Sequence, residues 1–385
     1  MSMSIKTTLG ARLGQLLAAG LLLAAGAAVS ADAPKGDQAP VVHRPQEPKK
    51  PYPYKEEEVL YPNAKAGIKL GGTLTLPKGT GPFPAVLLIT GSGAQNRDEE
   101  LLGHKPFLVL SDYLTRRGIA VLRVDDRGVG TSTGDFEKST SADFATDVLA
   151  GVAFLKSRAD IQHHRIGLIG HSEGGLIAPI VAAQSPDVAF IVLMAGPGVS
   201  GAAVLAEQQA LIQAAGGMPE VELHANAEMM KKVFAVLREE PDAAKARPRL
   251  IQISKDFAAT LPAAKRAEFE KVLDKTVDSM NGPWMRYFLS YDPAPTLRKV
   301  ACPVLALFGE LDLQVPPKQS LAPMEAAFKA GKNPDYTVRM LPGLNHLFQH
   351  AKTGSPTEYA SIEETINPAA LKIMGDWIAA HTQAK

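Results

Sequence analysis

The side chain best placed to do chemistry is Ser172, at the centre of Gly170-His171-Ser172-Glu173-Gly174. The apolar run Ile166 to Ile169 leads straight into it, and helix-forming residues from Leu176 to Ala183 follow. A serine between a buried strand and a helix sits on a tight, strained turn, and its flanking glycines remove the Cβ clashes that would forbid that turn. The pentapeptide alone is weak support, because Gly130-Thr131-Ser132-Thr133-Gly134 carries the same pattern. Ser132 instead lies in a polar loop, followed by Asp135, Glu137 and Lys138 before any helix. The chemistry Ser172 offers is nucleophilic attack. A serine hydroxyl is a poor nucleophile at neutral pH, so a histidine must take its proton and an acid must orient that histidine. Glu310 and Asp312 both follow the apolar run Val304 to Phe308, at the carboxyl end of a predicted strand, where the sites of parallel sheets gather. His346 lies beyond the last predicted strand, which ends near Leu341, with His350 one turn later as its rival. His171 reads as support for the turn.

The elements that must position these groups alternate along the chain. Strand-like runs at Glu58 to Tyr61 and Ile68 to Leu76 form an antiparallel entry, followed by Ala85 to Thr90. Then come a helix over Pro106 to Arg117, a strand over Ala120 to Val124, a helix over Phe144 to Leu155 and a strand over Arg165 to Ile169. A helix over Gly175 to Ala183 and a strand over Ala189 to Met194 continue the pattern. Such alternation predicts an α/β fold with a mostly parallel central sheet and helices on both faces. Between residues 198 and 296 the strand signal gives way to helix-forming composition, with runs at Ala203 to Ala214, Pro219 to Glu239, Ile251 to Phe257 and Ala263 to Leu273. This predicts a helical cap insertion within a core made of residues 55–197 and 297–385. The alternation resumes with a strand at Val304 to Phe308, a helix at Pro323 to Ala330, a strand at Tyr336 to Leu341 and a closing helix at Pro368 to Ala380.

Lys6 and Arg12, the apolar run Leu16 to Val29 and the small residues Val29-Ser30-Ala31 predict a cleaved export signal over residues 1–31. The run is shorter than the roughly 20 residues that span a bilayer, so no stable membrane insertion is expected after cleavage. The expected location is periplasmic or secreted. Removing that segment takes away both cations and no acid, and moves the formal charge from +1 to −1. Lys and Arg are scattered, which argues against a nucleic-acid partner. Residues 32–54 hold Pro34, Pro40, Pro45, Pro48, Pro51 and Pro53 and read as a flexible leader. The single cysteine, Cys302, excludes an intramolecular disulfide and is expected to pack as a small apolar side chain.

Four segments in order carry a family resemblance. They are Thr90-Gly91-Ser92-Gly93-Ala94-Gln95-Asn96-Arg97-Asp98, Asp126-Arg127-Gly128-Val129-Gly130-Thr131-Ser132, the turn at Ser172, and Gly309-Glu310-Leu311-Asp312 with Gly343-Leu344-Asn345-His346. From about Lys55 to the end the sequence resembles the α/β-hydrolase superfamily, in particular bacterial esterases similar to the serine aminopeptidase and prolyl-oligopeptidase-like hydrolases. The resemblance implies a triad of Ser172, Asp312 and His346, an acyl-enzyme intermediate and no metal or organic cofactor. It also implies an oxyanion hole built from the amide of Glu173 and a second amide, Ser92 or Gly93, with Gln95 behind them. Gln95, Asn96 and Arg97 are candidate substrate contacts, with an ion pair from Arg97 to Asp98 or Asp126 as the structural alternative. Asp126 and Arg127 read as loop braces.

In the insertion, Trp284, Tyr287, Phe288 and Tyr291, with Met229 and Met230, either line an acyl pocket or form the cap's own core. Trp284 and Tyr287 are carried forward as substrate contacts. The leading expectation is a carboxylesterase acting on a small-molecule acyl ester. An exported aminopeptidase or other peptidase is the alternative and needs a carboxylate, such as Glu173, for a free α-amine. A non-catalytic binding protein on the same fold is the third reading.

Overall fold

The computed structural model describes residues 43–382. The predicted export signal and the first part of the predicted leader lie outside the described residues. Nine-residue strands β1 (Lys55–Asn63) and β2 (Ile68–Leu76) pair antiparallel over their whole length. Strand β3 (Phe83–Ile89), helix α1 (Pro106–Arg116), strand β4 (Ala120–Val124) and helix α2 (Ser141–Lys156) follow. Next come β5 (Ile161–His171), α3 (Gly174–Ala182) and β6 (Phe190–Met194). The chain closes through β7 (Val304–Gly309), a helix at Pro317–Ala330, β8 (Tyr336–Leu341) and a last helix at Pro368–Thr382. The eight strands form one sheet in the order β1-β2-β4-β3-β5-β6-β7-β8. β2 meets β4 antiparallel, and every pairing from β4 through β8 is parallel.

The residues of a strand point alternately to its two faces, and β3 shows what that does here. Ala85, Leu87 and Ile89 pack with α2, α3 and the Pro317–Ala330 helix on one face. Val86 and Leu88 pack with α1 and the last helix on the other. A strand buried on both sides must be apolar throughout, which is why β6, β7 and the second half of β5, from Ile166, read as apolar runs, while Gln162 to Arg165 at the start of β5 are polar and not buried.

Six helices separate β6 from β7: α4 (Gly201–Ala215), α5 (Glu220–Glu239), α6 (Ala243–Thr260), α7 (Ala263–Met280), α8 (Pro283–Ser290) and α9 (Ala294–Leu297). In chain order the two later helices are then α10 (Pro317–Ala330) and α11 (Pro368–Thr382). Helices α5, α6 and α7 share a core of their own around Met229, Met230, Val233, Leu250, Phe257, Phe269 and Leu273.

Three expectations are corrected. The segment predicted over Ile251 to Phe257 is the longer α6, which runs through Pro248 and starts at Asp242, whose carboxylate caps Ala244 and Lys245. The helix predicted from Pro323 begins at Pro317, and Pro323 lies inside it. The part of the leader that is described, residues 43–54, is laid down on the body despite its prolines. Arg44 donates to the carbonyls of Leu102, Ala360 and Ile362, and Gln46 exchanges hydrogen bonds with Thr365 and Ile366. Two long polar side chains recruit carbonyl and amide groups of loops that lack strand partners, and that outweighs the composition. Cys302 packs partly buried against the core, and burial pushes its thiol up to about 12. No described helix is long and apolar enough to cross a membrane.

Candidate active site

The last residue of β5 is His171, and the chain turns sharply into α3. Ser172 takes the turn with φ +53°, a conformation costly for a residue with a Cβ. The strain is held by the Ser172 amide donating to the Met194 carbonyl at 2.8 Å and by the Gly175 amide donating back to Ser172 at 2.9 Å. A Cβ at Gly170 would strike the carbonyl of Gly174, and one at Gly174 would strike that of Ile89. These are the close approaches for which the two flanking glycines are needed.

Ser172 opens on a cavity of about 150 Å³, the size that accommodates a benzene ring. His346 lines the same cavity from the loop after β8. Its Nδ1 lies 2.8 Å from Oδ2 of Asp312, which leaves Nε2 as its unengaged nitrogen. Asp312 is fully enclosed, and its other oxygen accepts the amides of Gln314 at 2.7 Å and Val315 at 2.9 Å. The rival acid Glu310 is exposed and accepts the Gly343 amide, and the rival His350 is exposed with its amide on Glu364. Neither reaches the cavity.

The loop after β3 sorts the candidate amides. Gly91 donates to Glu99 at 2.7 Å, and Gln95 donates to Asp126 at 2.9 Å. Both are therefore spent. Gly93 is buried, takes φ +101°, and does not line the cavity. Ser92 and Glu173 both line the cavity, and their amides donate to no other described residue. Two such donors are what a developing oxyanion needs. Enclosure lifts the Asp126 carboxyl well above the ordinary aspartate range, and the Thr90 hydroxyl and Gln95 amide oppose that rise. Asp126 thus braces the loop from behind. Arg127 braces α2 through Asp147 at 2.5 Å.

The remaining candidate contacts divide. Gln95 and Trp284 line the cavity, along with Phe288. Asn96 is turned away, its side-chain oxygen accepting the amides of Asp98 and Glu100. Arg97 is committed to Asp125 and Glu58, not to Asp98 or Asp126, because Asp98 pairs with Arg123. Tyr287 stacks on Tyr291 and does not line the cavity, whereas Trp284 stacks on Phe288 and both of these do. Met229 and Met230 belong to the core of the inserted helices.

Sequence reasoning named Glu173 but not the partners of its carboxylate, and it missed Glu99 and Ser141 altogether. Glu173 is buried, and its Oε1 accepts from Ser141 at 2.6 Å and from the indole of Trp284 at 2.7 Å. Burial raises this carboxyl above the ordinary glutamate value against those hydrogen bonds. Glu99, buried at φ +51°, pairs with His171 at 2.9 Å. His104 lines the cavity between the Thr365 hydroxyl and the Tyr359 carbonyl, and burial lowers its pKa. Only the segment quoted up to Asp98 pointed toward Glu99, and nothing local marked Ser141 or His104. Among the described residues, no cluster of three or more His, Cys, Asp and Glu side chains is arranged to hold a metal ion.

Known proteins are similar to this chain along much of its length. Esterase EstD of Thermotoga maritima is 27% identical over 296 residues, which are 75% of this chain, and the chain spans 61% of the length of that relative. Esterase FrsA of Yersinia pestis is 29% identical over 153 residues, 40% of this chain and 34% of the relative. The crystal structure of the α/β-hydrolase GrgF from Penicillium sp. sh18 superposes with a TM-score of 0.53 at 16% identity. The match covers 85% of this chain and 99% of that one, a likeness of fold. The family model described as X-Pro dipeptidyl-peptidase (S15 family) matches residues 66–345, well over half of the chain. With its α/β-hydrolase fold and this match, the protein belongs to the X-Pro dipeptidyl-peptidase (S15) family.

Proposed function

We propose that the protein is a serine hydrolase that cleaves small carboxylic esters through an acyl-enzyme. The observation that carries this reading is the buried His346–Asp312 pair opening, with Ser172, on one cavity. Ser172 Oγ attacks the ester carbonyl while Nε2 of His346 takes its proton. The Glu173 and Ser92 amides receive the oxyanion, and the proton passes to the leaving alcohol. Water then attacks the acyl-enzyme with His346 again as base and frees the acid.

The charges around the cavity favour a neutral ester over a peptide with a free amine. Its two acids, Glu99 and Glu173, are already taken, one by His171 and Gly91, the other by Ser141 and Trp284. Burial also favours the uncharged form of Glu173, a poor partner for an ammonium. No Lys or Arg is among the lining residues. Val204, Leu205, Phe288 and Leu347 supply an apolar wall for a short or aromatic acyl group, and α4 and α8 act as a cap over it. The export signal read in residues 1–31 makes the periplasm or the medium the proposed site of action, which N-terminal sequencing of the secreted form tests.

The deciding experiment offers the purified protein p-nitrophenyl esters of increasing acyl length beside X-Pro and aminoacyl p-nitroanilides, with Ser172→Ala as control. Turnover of short esters, lost in the variant, is the expected result. Faster turnover of X-Pro anilides would replace the ester reading with the peptidase one, and no turnover of either would favour a binding protein.

A further inference from the structure

Two histidines besides His346 line the cavity, and their partners differ in kind. His104 faces the Tyr359 carbonyl and the Gln349 side-chain amide at Nε2 and a hydroxyl at Nδ1, so groups able to donate to the bare nitrogen of a neutral ring stand on both sides. His171 faces oxygen acceptors on both sides: Oε1 of Glu99 lies 2.9 Å from Nδ1, and the backbone carbonyl of His346 lies 3.0 Å from Nε2. A neutral imidazole has one N–H and can satisfy only one of them. The same Glu99 oxygen accepts the Gly91 amide at 2.7 Å, which favours its carrying the negative charge.

We propose that His171 is a buried imidazolium held by Glu99, and that the two are positioning residues that fix the base His346 and the Ser92 amide relative to Ser172. This inference rests on the triad reading of the same site. The geometry explains why one pair can do both jobs. Glu99 grips Gly91, next to Ser92 in the loop, and His171 precedes Ser172 while it grips the main chain of His346. The two imidazole rings lie 4.8 Å apart at 45°. The charged groups facing His171 are Glu99, from the loop after β3, and Asp312 behind His346. Burial presses the His171 pKa down, but those two acids and its hydrogen bonds outweigh it and leave the value above the ordinary imidazole range. Because the folded value is raised, the stabilisation that protonated His171 contributes is complete below the ordinary histidine value of about 6.5 and is lost as pH rises from there through the raised His171 pKa.

Two measurements test this. The first is read on the wild-type protein: histidine-selective 15N NMR of the full chain at pH 7, with His171→Gln used only to assign the resonance. The expected signature is two protonated nitrogens on His171, and a neutral ring, with the proton on Glu99, overturns the proposal. The second is the pH profile of ester turnover in Glu99→Gln, with Glu99→Asp as the charge-retaining comparison. In Glu99→Gln, kcat is expected to fall by about tenfold or more with little change in KM, as for a site misaligned by a fraction of an ångström. Its alkaline limb is expected to move to lower pH, and Glu99→Asp to restore part of both effects. An unchanged alkaline limb in a folded Glu99→Gln protein would sink the idea. Labelling of Ser172 by a fluorophosphonate separates the two claims: no labelling of the wild type rejects the triad reading, whereas labelling with a neutral His171 rejects only the imidazolium.

Discussion

The chain carries one pentapeptide pattern twice, and the two copies do opposite things with the serine. Ser132 spends its hydroxyl entirely on backbone, donating to the Asp125 carbonyl at 2.7 Å and accepting the Gly71 amide at 2.9 Å. It pins the loop after β4 to the middle of β2, and the Thr133 amide beside it donates to the Lys69 carbonyl at 2.8 Å. Ser172 spends only its backbone, on Met194 and Gly175, and its hydroxyl has no partner among the described residues. The same Gly-x-Ser-x-Gly spacing therefore makes a rivet in one place and a reactive group in the other. What separates them is whether the main chain arrives from a buried strand that can hold the turn without the side chain.

The sharpest way to break this contrast is to remove both hydroxyls in turn. Ser172→Ala is expected to lower ester turnover by about 10⁴-fold or more. Its unfolding free energy should stay within about 0.5 kcal/mol of wild type, because no described hydrogen bond to the hydroxyl is lost. Ser132→Ala is expected to leave turnover close to wild type yet cost about 1–3 kcal/mol in denaturant melts, since it strands a buried amide and carbonyl. The reverse outcome would exchange their roles. Asp312→Asn comes next, with kcat lowered by about 10⁴-fold in a protein that still folds, because an amide favours the wrong tautomer of His346.

The glycines sharpen the same comparison. Gly170→Ala drives a methyl into the Gly174 carbonyl and is expected to cost more than about 3 kcal/mol or prevent soluble expression. Gly134→Ala at the other copy meets only Ile68 and Arg127 side chains at 3.3–3.4 Å and carries mainly the penalty of φ +109°, about 1–2 kcal/mol. Chemical denaturation of the pair checks that order.

The smallest effect concerns the residue that follows each serine. Thr133 is paired main chain to main chain, whereas Glu173 is a buried acid whose pKa is raised. A carboxyl that binds its proton more tightly when folded makes stability fall as pH rises from its ordinary value to its raised one. Glu173→Gln keeps acceptors for Ser141 and Trp284 and should flatten that decline, raising Tm at neutral pH by about one or two degrees. A steeper decline in the variant would mean that the ionised form is the one the fold prefers.

The sequence made the sheet legible because its strands are buried on both faces and its serine turn is bounded by elements of opposite periodicity. It left Glu310 beside Asp312 as an equal until resemblance chose, since the two differ only in which way the loop points them. Tyr287 was misjudged for a similar reason, since an aromatic cluster on a short helix has two sides. Glu99 and Ser141 were out of reach altogether. Each is an ordinary polar residue until the fold brings it to His171 or Glu173, 72 and 32 residues away. Arg44 and Gln46 fall in the same class, because a proline-rich stretch shows no periodicity even where two of its side chains find carbonyls.

Those two side chains have a consequence for how the molecule opens. The loops they fasten carry Tyr359, which accepts from His104, and Thr365, which forms part of the cavity wall. A segment fastened by side-chain hydrogen bonds, two of them exposed, is expected to open locally at lower free energy than the sheet does. Were residues 43–54 to detach, the segment 359–366 would lose its outer clasp and one wall of the cavity would be freer to move. Amide exchange along 359–366 and the entry of a bulky ester would then be two readings of a single opening equilibrium, governed from the far end of the chain.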